Sequence, residues 1–397
     1  MYNSIIKIST GLLMLFFLVS CVSENATENT IETQIAEIKS EYAPDKRVAL
    51  FDVEAFKKTD KYILIGESDL PNAVRALKDK LTSKGVDFID SIQLLPSAEL
   101  GEKIQAIINI SVANLRSNPK HSAELATQAT LGTPVRVLKK EEGWYYIQTP
   151  DKYLSWVDDG GIQMMDTKQY ETWQAANKII YTRTYGHSYL DKNEEEIVSD
   201  LVAGDILEVI RDDANHFRVT YPDGREAFVP KSEAESYNSW LDKLDPSVED
   251  LVATSKMLMG VPYLWGGTST KGMDCSGFTK TIFFLNGMVI PRDASQQVHT
   301  GKAIDSTKNF KNLQKGDLLF FGRKATDSSA EKVVHVGMWI GNNEFIHASE
   351  MVRISSMDKN DDNFDEWNLN RYLRTKRILK EKDKGLISLT ETPLFKN

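Results

Sequence analysis

Residues 262–285 read Pro262-Tyr263-Leu264-Trp265-Gly266-Gly267-Thr268-Ser269-Thr270-Lys271-Gly272-Met273-Asp274-Cys275-Ser276-Gly277-Phe278-Thr279-Lys280-Thr281-Ile282-Phe283-Phe284-Leu285. Glycines crowd the first half and an apolar helical pattern fills the second, so a loop is predicted to run into a helix with Asp274-Cys275 at the junction. A cysteine in that place faces unpaired backbone N–H groups and the positive end of the helix dipole, which favours the reactive thiolate. The competing role is an inert buried thiol. The flanking glycines and the lack of a pairing cysteine weigh against it, since the chain has two cysteines, Cys21 and Cys275.

A thiolate nucleophile works best beside a histidine that first shares its proton and later gives one to the leaving amine. Val333-Val334-His335-Val336-Gly337-Met338-Trp339-Ile340 alternates as a strand, Gly341-Asn342-Asn343 is a hairpin turn, and Glu344-Phe345-Ile346-His347-Ala348 returns. His335 and His347 are therefore expected on neighbouring strands, with His347 orienting the ring of His335. His121, His187, His216 and His299 show no such setting and are read as ordinary structural or surface histidines. A zinc site from Cys275, His335 and His347 lacks an evident fourth ligand, so neither metal nor cofactor is expected.

Outward from this region, Asp245-Pro246-Ser247 opens a helix with Val248, Leu251, Val252, Leu258 and Met259 at helical spacing, stopped by Gly260. A helix-rich half followed by a strand-rich half to Arg377 gives an α+β domain over residues 241–397. Residues 107–165 carry short alternating runs, Val135-Arg136-Val137-Leu138 and Trp144-Tyr145-Tyr146-Ile147, broken by Gly132, Gly143 and Pro150. Residues 166–240 repeat that theme in Val202 to Ile210, Phe217 to Tyr221 and Ala227-Phe228-Val229. Both stretches read as small β-barrels. Residues 46–106, with a helix expected from Pro71 to Lys84 between apolar stretches near Val48 and Ile89, form a small α+β cap of open role.

At the N-terminus Lys7 precedes the apolar run Gly11 to Val19, too short to span a bilayer, so residues 1–21 read as an export signal. Polar residues 22–45 read as a flexible tether. With 41% hydrophobic and 26% charged residues the composition is that of a folded soluble chain, and a net charge of −9 gives no footprint for nucleic acid.

Six ordered segments carry a resemblance: Pro262 to Gly267, Asp274 to Phe278, Pro291-Arg292-Asp293, Lys315-Gly316-Asp317-Leu318-Leu319-Phe320-Phe321, His335 to Gly341, and Phe345-Ile346-His347-Ala348. Together they resemble the NlpC-type family of cell-wall endopeptidases, which have a papain-like core and a Cys-His-His triad. The two barrels resemble bacterial Src-homology-3-like domains, and Leu18-Val19-Ser20-Cys21 resembles the lipobox of bacterial lipoproteins. The resemblance implies a papain-like cysteine peptidase domain preceded by two small all-β barrels, exported and held to a membrane through lipid on Cys21 alone, facing the periplasm or cell surface. It implies Cys275 as nucleophile, His335 as general base and acid, His347 as third member, and Tyr263 near the oxyanion, although Tyr263 could equally serve packing.

Two barrels ahead of the peptidase are similar to the subfamily that cuts the γ-D-glutamyl bond to the diamino acid of peptidoglycan stem peptides with a free N-terminal L-Ala. By that resemblance the amine is bound by Asp274, Tyr153 and a glutamate. Glu124 is a nearby candidate for that glutamate, because Ala126-Thr127-Gln128 carries alanine at the matching place. Ser276 and Asp293 match positions around the D-Glu carboxylate. Their plainer roles are a helix-capping hydroxyl and an ion pair with Arg292, and Tyr153 could simply pack on Trp156. Peptidoglycan-derived peptides are the expected partners, and the oligomeric state is left open. The rival readings are a lipid-anchored wall-binding protein with an inactive peptidase domain, and an amidase or acyltransferase on the same triad.

Overall fold

The computed structural model describes residues 29–58, 61–392 and 394. The chain divides into two compact units at the 99/100 junction. In the first, a helix over 29–42 and the helix Pro71–Ser83 cover a three-stranded sheet. The strands Phe51–Lys58 and Lys61–Ser68 run antiparallel, and Phe88–Leu94 lies parallel to the second of them. Ile31 and Ile38, two helical turns apart, are buried with Phe51, Val53, Leu64, Val74, Leu77 and Leu81. Residues 29–42 are thus not the tether expected of them: Ile31, Ile35 and Ile38 make an apolar stripe at 3.6-residue spacing, and a folded sheet receives it. Cys21 and the segment expected to be an export signal lie outside the described residues.

The second unit opens with two seven-stranded sheets of the same topology. In chain order the first uses 105–108, 112–116, 125–130, 134–141, 144–148, 154–158 and 162–165. Its spatial order, numbering these one to seven, is 7-1-4-5-6-2-3. The second uses 178–181, 185–189, 197–202, 206–212, 216–220, 226–230 and 234–236 in the same order read from the opposite edge. The helix Thr167–Ala175 joins them, with Asp166 and Gln169 closing a reciprocal capping box.

The two sheets are also locked directly. Leu131 leaves the first and enters the apolar core of the second beside Tyr181, Leu207 and Val219. Its N–H donates to Asp205 Oδ1 at 3.1 Å, and its carbonyl accepts from the Ile206 N–H at 3.0 Å. Asp205 is fully buried, which drives its carboxyl well above the usual range although the Val202 and Leu131 N–H groups favour its charge.

The remaining chain forms an antiparallel six-stranded sheet in the spatial order Lys302–Asp305, Tyr372–Arg377, Leu318–Arg323, Lys332–Gly341, Glu344–Ser349, Met351–Ser356. The helix Cys275–Leu285 lies against it, burying Phe278, Ile282 and Phe283 with Val336, Met338 and Ile346. The helix Val248–Met257, capped by Ser247, adds Leu251 to the same core. Among the described residues no helix is long and apolar enough to cross a membrane.

Candidate active site

Cys275 is the first residue of its helix, and Asp274 is the N-cap, its Oδ1 accepting from the Gly277 N–H at 2.7 Å. The glycine-rich loop presses onto this first turn so closely that a Cβ on Gly277 would lie 1.9 Å from the Gly267 carbonyl oxygen. The Cys275 sulfur receives backbone N–H groups from Val336 and Ser276, so the strand carrying His335 passes across the thiol. The electrostatics differ from the sequence expectation. Burial, followed by the Asp274 carboxylate, pushes the Cys275 thiol up to about 12. The helix dipole contributes only ~0.3–1 kcal/mol and is outweighed by loss of water.

His335 lies half-buried against Phe321, with ring centroids 5.8 Å apart, and its Nε2 is 2.7 Å from His347 Nδ1. Gly337 makes this possible, since a Cβ there would come within 3.1 Å of the His347 Cβ and 2.7 Å of Phe345. His347 is completely buried, and its Nε2 lies 3.1 Å from Ser355 Oγ on the next strand. Burial, then the charge of Arg371, holds the His335 imidazole down to about 4; burial, then His335, also lowers His347. Burial thus works against the charged form of the thiol and of both imidazoles. His347 engages Nε2, so any proton exchange with a nucleophile falls to Nδ1.

Arg292 organises the wall behind Cys275. It is 1% exposed, and its guanidinium donates to Asp274 Oδ1 (3.1 Å) and Oδ2 (2.6 Å), to Ser276 Oγ (3.0 Å) and to Thr127 Oγ1 of the first barrel (2.8 Å). Asp274 also accepts from Gly266 N–H (3.0 Å) and from the Ser276 hydroxyl (3.1 Å). Its carboxylate is therefore spoken for by protein donors, and Ser276 belongs to the same buried network. Burial opposes the Arg292 charge, but Asp274 more than offsets it.

The first barrel meets the peptidase at two further residues singled out from the sequence. The Tyr153 hydroxyl donates to Asp293 Oδ2 at 3.1 Å, rather than lying in water over Trp156. Asp293 also forms an ion pair with Arg292 at 3.9 Å, longer than the 2.6 Å contact of the guanidinium with Asp274. Glu124, exposed, accepts from the Trp265 indole N–H at 2.7 Å. Tyr263 is half-buried beside Cys275; burial, then the Cys275 and Asp274 charges, raises its phenol. Cys275, His335, His347 and Tyr263 thus gather at one helix end, with Asp274 and Ser276 behind them and Tyr153, Asp293 and Glu124 at the barrel junction.

Arg292 and Ser355 were not assigned roles from sequence. The signal for Arg292 was a charged residue between Pro291 and Asp293 in a family-like segment. For Ser355 it was alternation: Arg353 pairs with His347, so Ser355, two residues on, shares its face. Among the described residues no group of three or more His, Cys, Asp or Glu side chains is arranged to hold a metal ion.

The NlpC/P60 family model matches residues 260–367, and the model described as the bacterial dipeptidyl-peptidase Sh3 domain matches residues 115–162. A gamma-D-glutamyl-L-lysine dipeptidyl-peptidase of Bacillus cereus is 33% identical over 238 residues, covering 58% of this chain and 69% of that protein. Dipeptidyl-peptidase 6 of Lysinibacillus sphaericus is 28% identical, covering 64% of this chain and 93% of its own length. The crystal structure of an NlpC/P60 family protein from Bacillus cereus superposes with a TM-score of 0.59 at 28% identity, covering 69% of this chain and 99% of that one. With the helix-borne cysteine, the histidine strand and the barrel pair all in place, the chain belongs to the NlpC/P60 family of peptidases, with bacterial Src-homology-3-like domains ahead of a papain-like core.

Proposed function

We propose that the protein is a cysteine peptidase that hydrolyses the γ-D-glutamyl bond to the diamino acid of peptidoglycan stem peptides. The observation that carries the chemistry is the His335–His347 dyad, whose first member lies on the strand whose Val336 N–H reaches the Cys275 sulfur. In this reading the Cys275 proton passes to His335 Nδ1, and the thiolate attacks the γ-carbonyl carbon while Tyr263 stands near the developing oxyanion. His335 returns the proton to the departing amine as the C–N bond breaks. Water, deprotonated by His335, then hydrolyses the thioester and regenerates the thiol. The names of the relatives support the bond class.

The relatives' architecture supports a substrate with a free N-terminal amine. Asp274, although paired with Arg292, and the junction groups Glu124, Asp293 and Tyr153, which bond Trp265 and one another, make this a region of carboxylates toward which an ammonium would be drawn. Ser276 then acts on the D-Glu side through the Arg292 network. The test is incubation with L-Ala-γ-D-Glu-diamino acid tripeptides and detection of the free diamino acid, with Cys275→Ala as control. No product from folded protein overturns the reading. We also propose that Cys21 is lipidated after export, which places the enzyme at a membrane facing the periplasm or cell surface. Cys21→Ser or globomycin treatment is then expected to move the protein to the soluble fraction or leave the signal uncut; an unchanged membrane fraction overturns it.

A further inference from the structure

We infer that Ser355 is a positioning residue of the catalytic dyad, the terminal acceptor that lets His347 support His335 in its protonated form; this rests on the Cys275–His335 assignment proposed above. The two histidines alone do not define a direction, because the 2.7 Å contact between His335 Nε2 and His347 Nδ1 can be made with either ring donating. Protonated His335 removes the choice. Both its nitrogens then carry hydrogen, so Nε2–H must donate, His347 Nδ1 must accept, and the one proton of neutral His347 must sit on Nε2. That N–H points at Ser355 Oγ, 3.1 Å away, and His347 is 0% exposed, so water cannot take it instead.

Without the hydroxyl, two outcomes remain. Either a buried N–H loses its acceptor, or the proton moves to Nδ1 and His335 loses the partner for its own charge. Both disfavour the imidazolium that forms when the thiol gives up its proton. The surroundings make the support necessary. Burial, Arg371 and Arg353 oppose a positive His335, with Asp365 and Asp274 on the favourable side; Arg353 and His335 itself oppose charge on His347. Asp274, Arg292 and Tyr263 flank the thiol. None of these seven is altered by a change at Ser355, whose neutral hydroxyl is, among the described residues, the group that contacts His347 Nε2.

The experiment compares Ser355→Thr with Ser355→Val in the full chain, two side chains of the same shape differing in the hydroxyl. The readout is the rate of Cys275 alkylation by iodoacetamide from pH 5 to 9, alongside tripeptide kcat and thermal melting. Ser355→Thr is expected to keep the unmodified rate, whereas Ser355→Val slows alkylation at pH 7 by roughly ten-fold and moves its rise to higher pH. On a His347→Ala background the two variants should match. Equal alkylation profiles for Thr and Val overturn the inference, and so does a Val deficit that persists without His347, which is the mark of a packing role. Alkylation needs no substrate. Failure to cleave the tripeptide therefore speaks only to the substrate reading, whereas a Cys275 alkylation profile left unchanged by His335→Ala overturns the Cys–His pair and this inference with it.

Discussion

Cys275 and His335 illustrate how burial works against both charges of a reactive pair. Burial drives the thiol up to about 12 and the imidazole down to about 4, so proton transfer between them has to be drawn out by the substrate's own carbonyl and by the groups around it. Cys275→Ala should abolish turnover while the protein still folds, and His335→Ala should lower kcat by roughly 10²–10⁴-fold. His347→Ala should cost less, because it acts through the base. Steady-state kinetics of the three variants checks the order, and a His335→Ala enzyme near full activity contradicts it. The same burial has a stability consequence. Unfolded histidine titrates near ~6.5, so as pH falls from there toward about 4 the unfolded chain binds more protons than the folded one, and stability drops. The contribution is intact above that window and lost as pH passes down through it. Urea midpoints at pH 7 and pH 5 should show the fall, and a His347→Gln protein should show a shallower one.

At the scale of elements, Arg292 ties the helix N-terminus to the first barrel. Replacing it with methionine leaves Asp274 charged and buried with no cation, which should cost about 3–5 kcal/mol; lysine should recover only part of this because it cannot donate bidentately. Equilibrium unfolding of Arg292→Met and Arg292→Lys measures both. Tyr153→Phe removes one hydrogen bond to Asp293 and should lower kcat/KM up to about ten-fold on free-amine tripeptide, with no further fall on the N-acetylated one. Equal rates on the two peptides would remove amine recognition. Much of this was legible in sequence. Alternation placed His335 and His347 on paired strands, and Gly341-Asn342-Asn343 supplied the three positive-φ residues of their turn. The helix at Pro71 and the N-cap at Ser247 were also readable from local signals. What local patterns could not supply was partnership across the chain. Arg292 with Asp274 and Thr127, Tyr153 with Asp293, and the depth of burial that reverses the thiol's expected shift all depend on tertiary placement. The helix over 29–42 was missed for a different reason: its polar residues masked the stripe Ile31, Ile35, Ile38.

At the scale of the whole molecule, residues 31–92 close their own core, separate from the cores of the barrels and the peptidase. A chain beginning near residue 100 should therefore fold and cleave soluble tripeptide with a kcat within about two-fold of the longer protein, since substitutions and deletions away from shared contacts act independently. A collapse of activity would assign the N-terminal unit a part in catalysis. The barrels are the opposite case. Leu131 belongs to the first by chain order and to the second by core, and Asp205 receives its N–H. For anyone recombining such modules, the seam that looks natural in sequence, between one barrel and the next, is the wrong place to cut. Severed there, the first barrel would display a stranded leucine and the second would keep a hole and a buried carboxyl short of one donor, so the two have to be transplanted as a single inherited cassette.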